Sequence, residues 1–177
     1  MTLHLVRHLA PLVDQAVCYG RTDLEADPAT IAAAVPALRA RLPSGLKVYS
    51  SPLRRCAALA QALSDRVSFD ARLTELDFGA WEMHRWDDIA RAEIDAWAAD
   101  VVHYRPGGGE SVAAMAARVL AFYAALPPEP AVVICHAGTI RLLAAWRPGC
   151  DIETMARAAA ATENPVAYGE IVTMQRV

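Results

Sequence analysis

The sequence predicts an α/β fold, a three-layer α/β/α sandwich around a mostly parallel central sheet. Two observations carry this reading. Short β-branched runs alternate along the chain with longer segments of helical spacing. Two of those runs also end alike: Leu3-His4-Leu5-Val6-Arg7-His8 and Ala131-Val132-Val133-Ile134-Cys135-His136 each stop on a histidine. In a parallel sheet the C-terminal strand ends lie together, and ligands bind there at the topological switch point. The two histidines are therefore expected to face one another across one pocket.

Composition agrees. The 177 residues, 55% hydrophobic and 21% charged, suit one domain over residues 1–177 with a large buried core, and they exclude intrinsic disorder. A formal net charge of −3 with no lysine/arginine block argues against nucleic acid and anionic membranes as partners. The alanine-rich run from Val112 to Leu126 contains Arg118 and is too short for a membrane span. The four cysteines, Cys18, Cys56, Cys135 and Cys150, form no C-x-x-C pair and read as reduced thiols of a cytoplasmic protein. The first strand begins at once, which leaves no room for a leader. No heptad or apolar stripe points to an interface, so monomer and homodimer both stay open.

Taken in order, strand one runs to Arg7 and enters a turn-rich segment, Asp14 to Asp27, that suits a functional loop. Asp27-Pro28 supplies an N-cap and an N1 proline for a helix to about Arg41, which Pro36 is expected to kink or split. Leu46 to Ser50 is the second strand. Ser51-Pro52 repeats the cap-plus-proline start for a helix from Leu53 to Leu63. Val67 to Asp70 is a short third strand, and Leu73 to Glu82 a polar, aromatic loop. Ile89, Ile94 and Trp97 give Trp86 to Ala99 helical spacing. The glycines at 107–109 form a turn, and Ser111 caps a helix ending near Leu126. The strand to His136 follows, then helices from Thr139 to Trp146 and from Ile152 to Ala161. A last strand covers Val166 to Val177.

Several residues could carry chemistry. Arg7 offers a planar fork for phosphate, and the imidazole of His8 is a nucleophile at neutral pH. The same pair would also be ordinary at the surface end of a strand. Arg55 sits in the first turn of a helix, whose free N–H groups and positive dipole end favour an anion. A cation there implies something negative nearby. Glu75 lies among Leu76, Phe78 and Trp81, and burial would make its carboxyl a usable proton donor. Asp77 and Glu82 rival it in the same loop. His136 ends the late strand and pairs with His8 by symmetry. Cys135-His136-Ala137-Gly138-Thr139-Ile140-Arg141 also fits C-x-x-G-x-x-R, the spacing of cysteine phosphatases, and so nominates Cys135 as a rival nucleophile. The five histidines are dispersed without H-x-H, H-E-x-x-H or D-x-D, so no metal site and no cofactor is expected. Tyr19, Arg21, Asp23, Trp81, His84, Trp86 and His103 are candidates for the pocket wall.

Together the motifs resemble the histidine phosphatase superfamily, which includes phosphoglycerate mutases. The matching pieces are Leu5-Val6-Arg7-His8, Ser51-Pro52-Leu53-Arg54-Arg55, Leu73 to Glu82, Gly108-Gly109-Glu110-Ser111 and Cys135 to Arg141, in family order. Val17-Cys18-Tyr19-Gly20-Arg21-Thr22-Asp23 looks like the α-ribazole phosphatase branch. The resemblance implies a phosphoglycerate mutase-like fold and a metal-independent phosphomonoesterase acting on a small phosphorylated metabolite, with α-ribazole 5′-phosphate the favoured guess. It implies that His8 becomes a phosphohistidine, that Arg7 and Arg55 clamp phosphate oxygens with the Ala137 backbone, and that His136, protonated, adds a cationic contact. Glu75 would be the proton donor, and Tyr19, Arg21, Trp81 and His84 would meet the substrate. Two departures stand out. The family's glycine after the first histidine is Leu9 here, whose side chain is expected to crowd the phosphate or reshape the pocket. The asparagine of mutase-like members is absent from Ala10 to Ala16. Mutase-type transfer, a Cys135-dependent phosphatase and a non-catalytic phospho-ligand module are the alternatives.

Overall fold

The computed structural model describes residues 1–162 and 165–175. Five strands form one sheet in the order β3-β2-β4-β1-β5, with β1 at Thr2–Arg7, β2 at Lys47–Ser50, β3 at Val67–Phe69, β4 at Ala131–Cys135 and β5 at Ile171–Gln175. β1, β2, β3 and β4 are mutually parallel, and β5 is the antiparallel edge beside β1. The expected sandwich is present. Central β4 is buried along its whole length, as its unbroken apolar run requires.

The alternation of side chains assigns the layers. Leu3, Leu5, Ala131, Val133 and Cys135 face a core shared with Met115, Phe122, Leu142 and Met155. These come from α4 (Val112–Ala125), α5 (Ala137–Ala145) and α6 (Ile152–Ala160). Val6, Val132 and Ile134 face the other core with Ile31, Leu38, Cys56 and Leu59, from α1 (Pro28–Arg41) and α2 (Arg54–Leu63). Asp27 caps α1 as expected, its carboxylate accepting the Ala29 and Thr30 N–H groups. Ser111 caps α4 by accepting from Ala114.

Four expectations change. α1 remains one helix through Pro36. α2 begins one residue later than expected, with Leu53 at the N-cap and no side-chain cap, while Ser51 Oγ accepts from the Leu53 N–H at 3.4 Å. Trp86 to Ala99 divides into a 3-10 turn, Trp86–Asp88, and α3, Arg91–Ala99. The last strand starts at Ile171 rather than Val166, which leaves residues 166–170 as a turn; its expected end at Arg176 and Val177 lies outside the described residues. Two further 3-10 turns, Gly79–Trp81 and Pro106–Gly108, pack backbone against backbone. Gly79 and Gly107 both have positive φ there, and a Cβ on either would collide with the other turn. Among the described residues no helix is long and apolar enough to cross a membrane.

Candidate active site

Strand register brings the site together. Arg7 lies opposite Cys135 in the β1–β4 ladder, and Ser50 lies opposite Ile134 in the β2–β4 ladder. His8, Ser51 and His136 thus each stand one residue past the end of three adjacent parallel strands. The ladder continues into this row, since the His8 N–H donates to Cys135 O at 3.1 Å and the Ser51 N–H to Ile134 O at 3.0 Å. The two imidazoles meet edge to face with ring centroids 5.0 Å apart.

His8 is 2% exposed. Its Nδ1 lies 2.6 Å from the Leu9 carbonyl oxygen. A carbonyl only accepts, so Nδ1 carries the proton and Nε2 presents a lone pair. Arg55 agrees with that tautomer, donating from Nε to Nε2 at 3.3 Å. Burial, then the Arg55 charge, push the His8 pKa down to about 3, outweighing the Leu9 contact that opposes them. The ring is a neutral base at physiological pH.

Arg55 is fully buried in the first turn of α2, its two terminal nitrogens donating to the carbonyls of Thr22 and Gly20. The loop after β1 therefore aims the guanidinium at His8. Arg7 donates from Nη1 to the Val166 carbonyl and stacks its guanidinium 3.8 Å over the Tyr168 ring. Its Nε is buried with no partner among the described residues, a donor poised for an acceptor.

His136 is fully buried at the N-cap of α5, its Nε2 2.9 Å from Ser51 Oγ and 3.5 Å from Cys56 Sγ. The expectation of a protonated His136 is corrected. Burial, then His8 and Arg55, hold its pKa well below 6.5, so the imidazole is neutral until an anion arrives to favour the charge. Ala137 is the first residue of α5, where backbone N–H groups lack helical partners.

Glu75 accepts from the Gly138 N–H at 3.0 Å and from the Leu76 N–H at 3.0 Å. A Cβ at 138 would clash with Glu75 Oε1, so a side chain there would displace the carboxylate. The rivals separate from it. Glu82 accepts from the backbone of Gly20, Arg21, Thr22 and Phe78 and from the Thr22 hydroxyl. Burial would raise its pKa, but these donors outweigh it and hold it low, so Glu82 is a loop organiser and remains ionised. Asp77 faces Arg21 at 3.4 Å and caps the Gly79 N–H.

A cleft of about 970 Å³ lies beside this cluster, its wall including Arg7 and Glu75 but not the buried His8, Arg55 or His136. Arg7, Glu75, Ala137 and Gly138 line its polar end together with Tyr19, whose hydroxyl is 2.7 Å from that of Tyr168. Arg21, Trp81 and His84 are not on the cleft wall. Trp81 is 4% exposed and donates its indole N–H to Glu93, because it anchors a small aromatic cluster instead. His84 uses its backbone to bind Cys18 and Trp81, and Arg21 pairs with Asp77. Asp23 holds Arg54 at the head of α2, and His103 stands 3.8 Å from Glu153. Trp86 does line the cleft.

Two expectations, for Cys135 and for Leu9, also change. Cys135 is fully buried within β4, and its thiol pKa is raised well above 9 by burial and then by Cys56. A buried, protonated thiol away from the cleft is inert. Leu9 is 6% exposed and belongs to the core with Val6, Ile31 and Cys56, its isobutyl group lying by Gly169 rather than on the cleft wall. Its carbonyl, which any residue would supply, is what touches His8.

Sequence reasoning missed Tyr168, Ser51 as the partner of His136, and the Arg118–Glu110 pair. Arg118 binds both oxygens of Glu110 at 2.8 Å and donates to the carbonyls of Arg72, Thr74 and Glu75. Glu110 was visible within the Gly108–Ser111 motif, and the Tyr168-Gly169 step was a turn signal inside an apparent strand.

Comparison with known proteins accords with this arrangement. Residues 3–167 match the family described as the histidine phosphatase superfamily (branch 1). The chain is 34% identical over 119 residues to the adenosylcobalamin/α-ribazole phosphatase of Escherichia coli (strain K12), covering 61% of this chain and 59% of that protein. It is 32% identical over 154 residues to a glucosyl-3-phosphoglycerate phosphatase of Mycolicibacterium vanbaalenii, covering 75% of this chain and 64% of that one. The chain thus spans less than two thirds of either curated relative. A solved structure described as a phosphoglycerate mutase from Thermus thermophilus superposes with a TM-score of 0.74 at 31% identity, over 98% of this chain and 92% of that one.

Proposed function

The chain belongs to the histidine phosphatase superfamily, branch 1, and from that premise we propose that it hydrolyses a small-metabolite phosphate monoester through a phosphohistidine on His8. One observation carries the proposal: a neutral imidazole is locked by Leu9 O with its Nε2 lone pair turned toward Arg55. That is a nucleophile already in the reactive tautomer.

The steps follow from the positions. A phosphate group draws the Arg55 Nε away from His8 and onto an equatorial oxygen, which releases the lone pair. Arg7 and the Ala137 N–H hold the other oxygens, and His136 gains charge beside the incoming anion. Nε2 attacks phosphorus, the ester P–O bond breaks, and Glu75 gives its proton to the departing alkoxide. Water then attacks the phosphohistidine, Glu75 recovers the proton, the P–N bond breaks, and inorganic phosphate leaves. The loose transition state needs positioning and charge neutralisation, which the arginines supply without requiring a metal.

The match to the Escherichia coli relative and the Val17–Asp23 loop favour α-ribazole 5′-phosphate as substrate. Mutase-type transfer has the Thermus neighbour in its favour. Against it, only 34 positions separate Glu75 from Gly109, and they carry a single nine-residue α-helix with which to shut out water. The cysteines Cys18, Cys56, Cys135 and Cys150, all free thiols, fit a cytoplasmic setting.

The test is hydrolysis of an aryl phosphate in excess EDTA by the wild type, His8→Ala and Cys135→Ser. His8→Ala should be inactive, with Cys135→Ser close to wild type. Loss of turnover in Cys135→Ser alone would refute the phosphohistidine route. Phosphate binding by the wild type without hydrolysis of the aryl ester or of α-ribazole 5′-phosphate would leave a binding module.

A further inference from the structure

The cleft has two chemically different ends. Among the described residues the charged side chains on its wall are Arg7, Glu75 and Arg141. Arg7 and Glu75 belong to the phosphate end. Arg141, on α5, also lines a neighbouring cavity whose wall includes Glu170. Its aromatic part is built from Phe78, Trp86 and Trp97 with Val101 and Val112, while Met115 reaches back to Gly138 beside Glu75. Trp86 and Trp97 lie almost parallel, 6° apart with centroids at 6.2 Å, and Phe78 stands edge-on to both at 5.8 and 5.9 Å.

These rings differ from their neighbour Trp81. Trp81 is buried and hydrogen-bonded, and the cluster needs it as filler. Phe78, Trp86 and Trp97 are only half-buried and keep apolar surface on the cleft. Apolar surface held open next to a phosphate site has value when a ligand covers it. Besides the indoles and the charged groups, the polar side chains on the wall are Gln15, Tyr19 and Tyr168, and the two tyrosine hydroxyls are engaged with each other.

Resting on the phosphatase reading, we propose that this aromatic end is the leaving-group subsite and that it selects phosphate esters carrying a planar, uncharged, apolar group. The occupant is the alcohol portion of the same molecule whose phosphate sits between Arg7, Arg55 and His8. Polyol and carboxylate-bearing esters fit poorly, because their polar groups would be desolvated against indole and phenyl surface.

The decisive comparison uses two primary alkyl phosphates of similar intrinsic reactivity, 2-(1-naphthyl)ethyl phosphate and glycerol 3-phosphate. Burying a bicyclic ring here should raise kcat/KM for the first by on the order of 100-fold. Trp97→Ala should cut that preference about tenfold while leaving glycerol 3-phosphate turnover and competitive inhibition by inorganic phosphate unchanged. Trp86→Leu is the second variant, in case Trp97→Ala loosens α3. A ratio near one, or equal losses for both esters in both variants, overturns the subsite. If neither ester is turned over, a tryptophan-fluorescence titration decides the subsite separately. Saturable quenching by the naphthyl ester at concentrations well below glycerol 3-phosphate supports it, and equal affinities refute it.

Discussion

The Arg118–Glu110 pair provides a sharp test of how the loop carrying Glu75 is held. The two side chains are 16% and 15% exposed, and Arg118 satisfies three loop carbonyls besides Glu110. Arg118→Met keeps much of the aliphatic stem but strands a carboxylate and removes the donors of Arg72, Thr74 and Glu75. Breaking a buried pair from one side costs about 3–5 kcal/mol, because the surviving charge is left without a partner. That is a large share of a typical total stability of roughly 5–15 kcal/mol. Urea unfolding should show a lower midpoint at unchanged m. Adding Glu110→Leu to Arg118→Met should recover part of the loss, since no unpaired charge then remains. Phosphate inhibition, proposed to rest on Arg7 and Arg55, should persist while kcat falls, because the Glu75 carbonyl loses its anchor. A cost below about 1 kcal/mol would refute the reasoning and class the pair with exposed surface bridges.

Two further outcomes follow. His8 and His136 are neutral when folded but titrate near 6.5 when unfolded, so the unfolded chain binds more protons as the pH falls below 6.5. Stability should therefore be full above about pH 6.5 and fall toward pH 5, by up to about 1.4 kcal/mol per pH unit for each histidine. Urea midpoints that stay level across that window would contradict the burial argument, and inorganic phosphate should flatten the slope. For Leu9→Ala, the side chain's place in the core predicts a loss of about 2–5 kcal/mol in stability with kcat within twofold of wild type. A clear rise in kcat would instead show that the isobutyl group obstructs the phosphate.

The sandwich and the row of catalytic candidates could be read from the chain alone. Both are encoded locally: β-branched runs fix the parallel strands, and a histidine placed one residue beyond a strand's end must arrive at the common C-terminal edge. Arg55 was legible for a similar reason, since a cation in the first turn of a helix asks for an anion. What separates Glu75 from Glu82 and Asp77 was not legible, because all three share one loop and similar neighbours. Only the docking of Glu75 on the Gly138 N–H, and of the Gly20–Thr22 backbone on Glu82, tells them apart. The charge of His136 likewise depends on burial and on cations from other elements, which no local pattern records. Tertiary structure also turned Leu9 into the core, buried Trp81, and brought Tyr168 from a misread strand onto Arg7. Side-chain direction at a strand end or in a loop is decided by long-range packing. Periodicity there spans too few residues to specify a face.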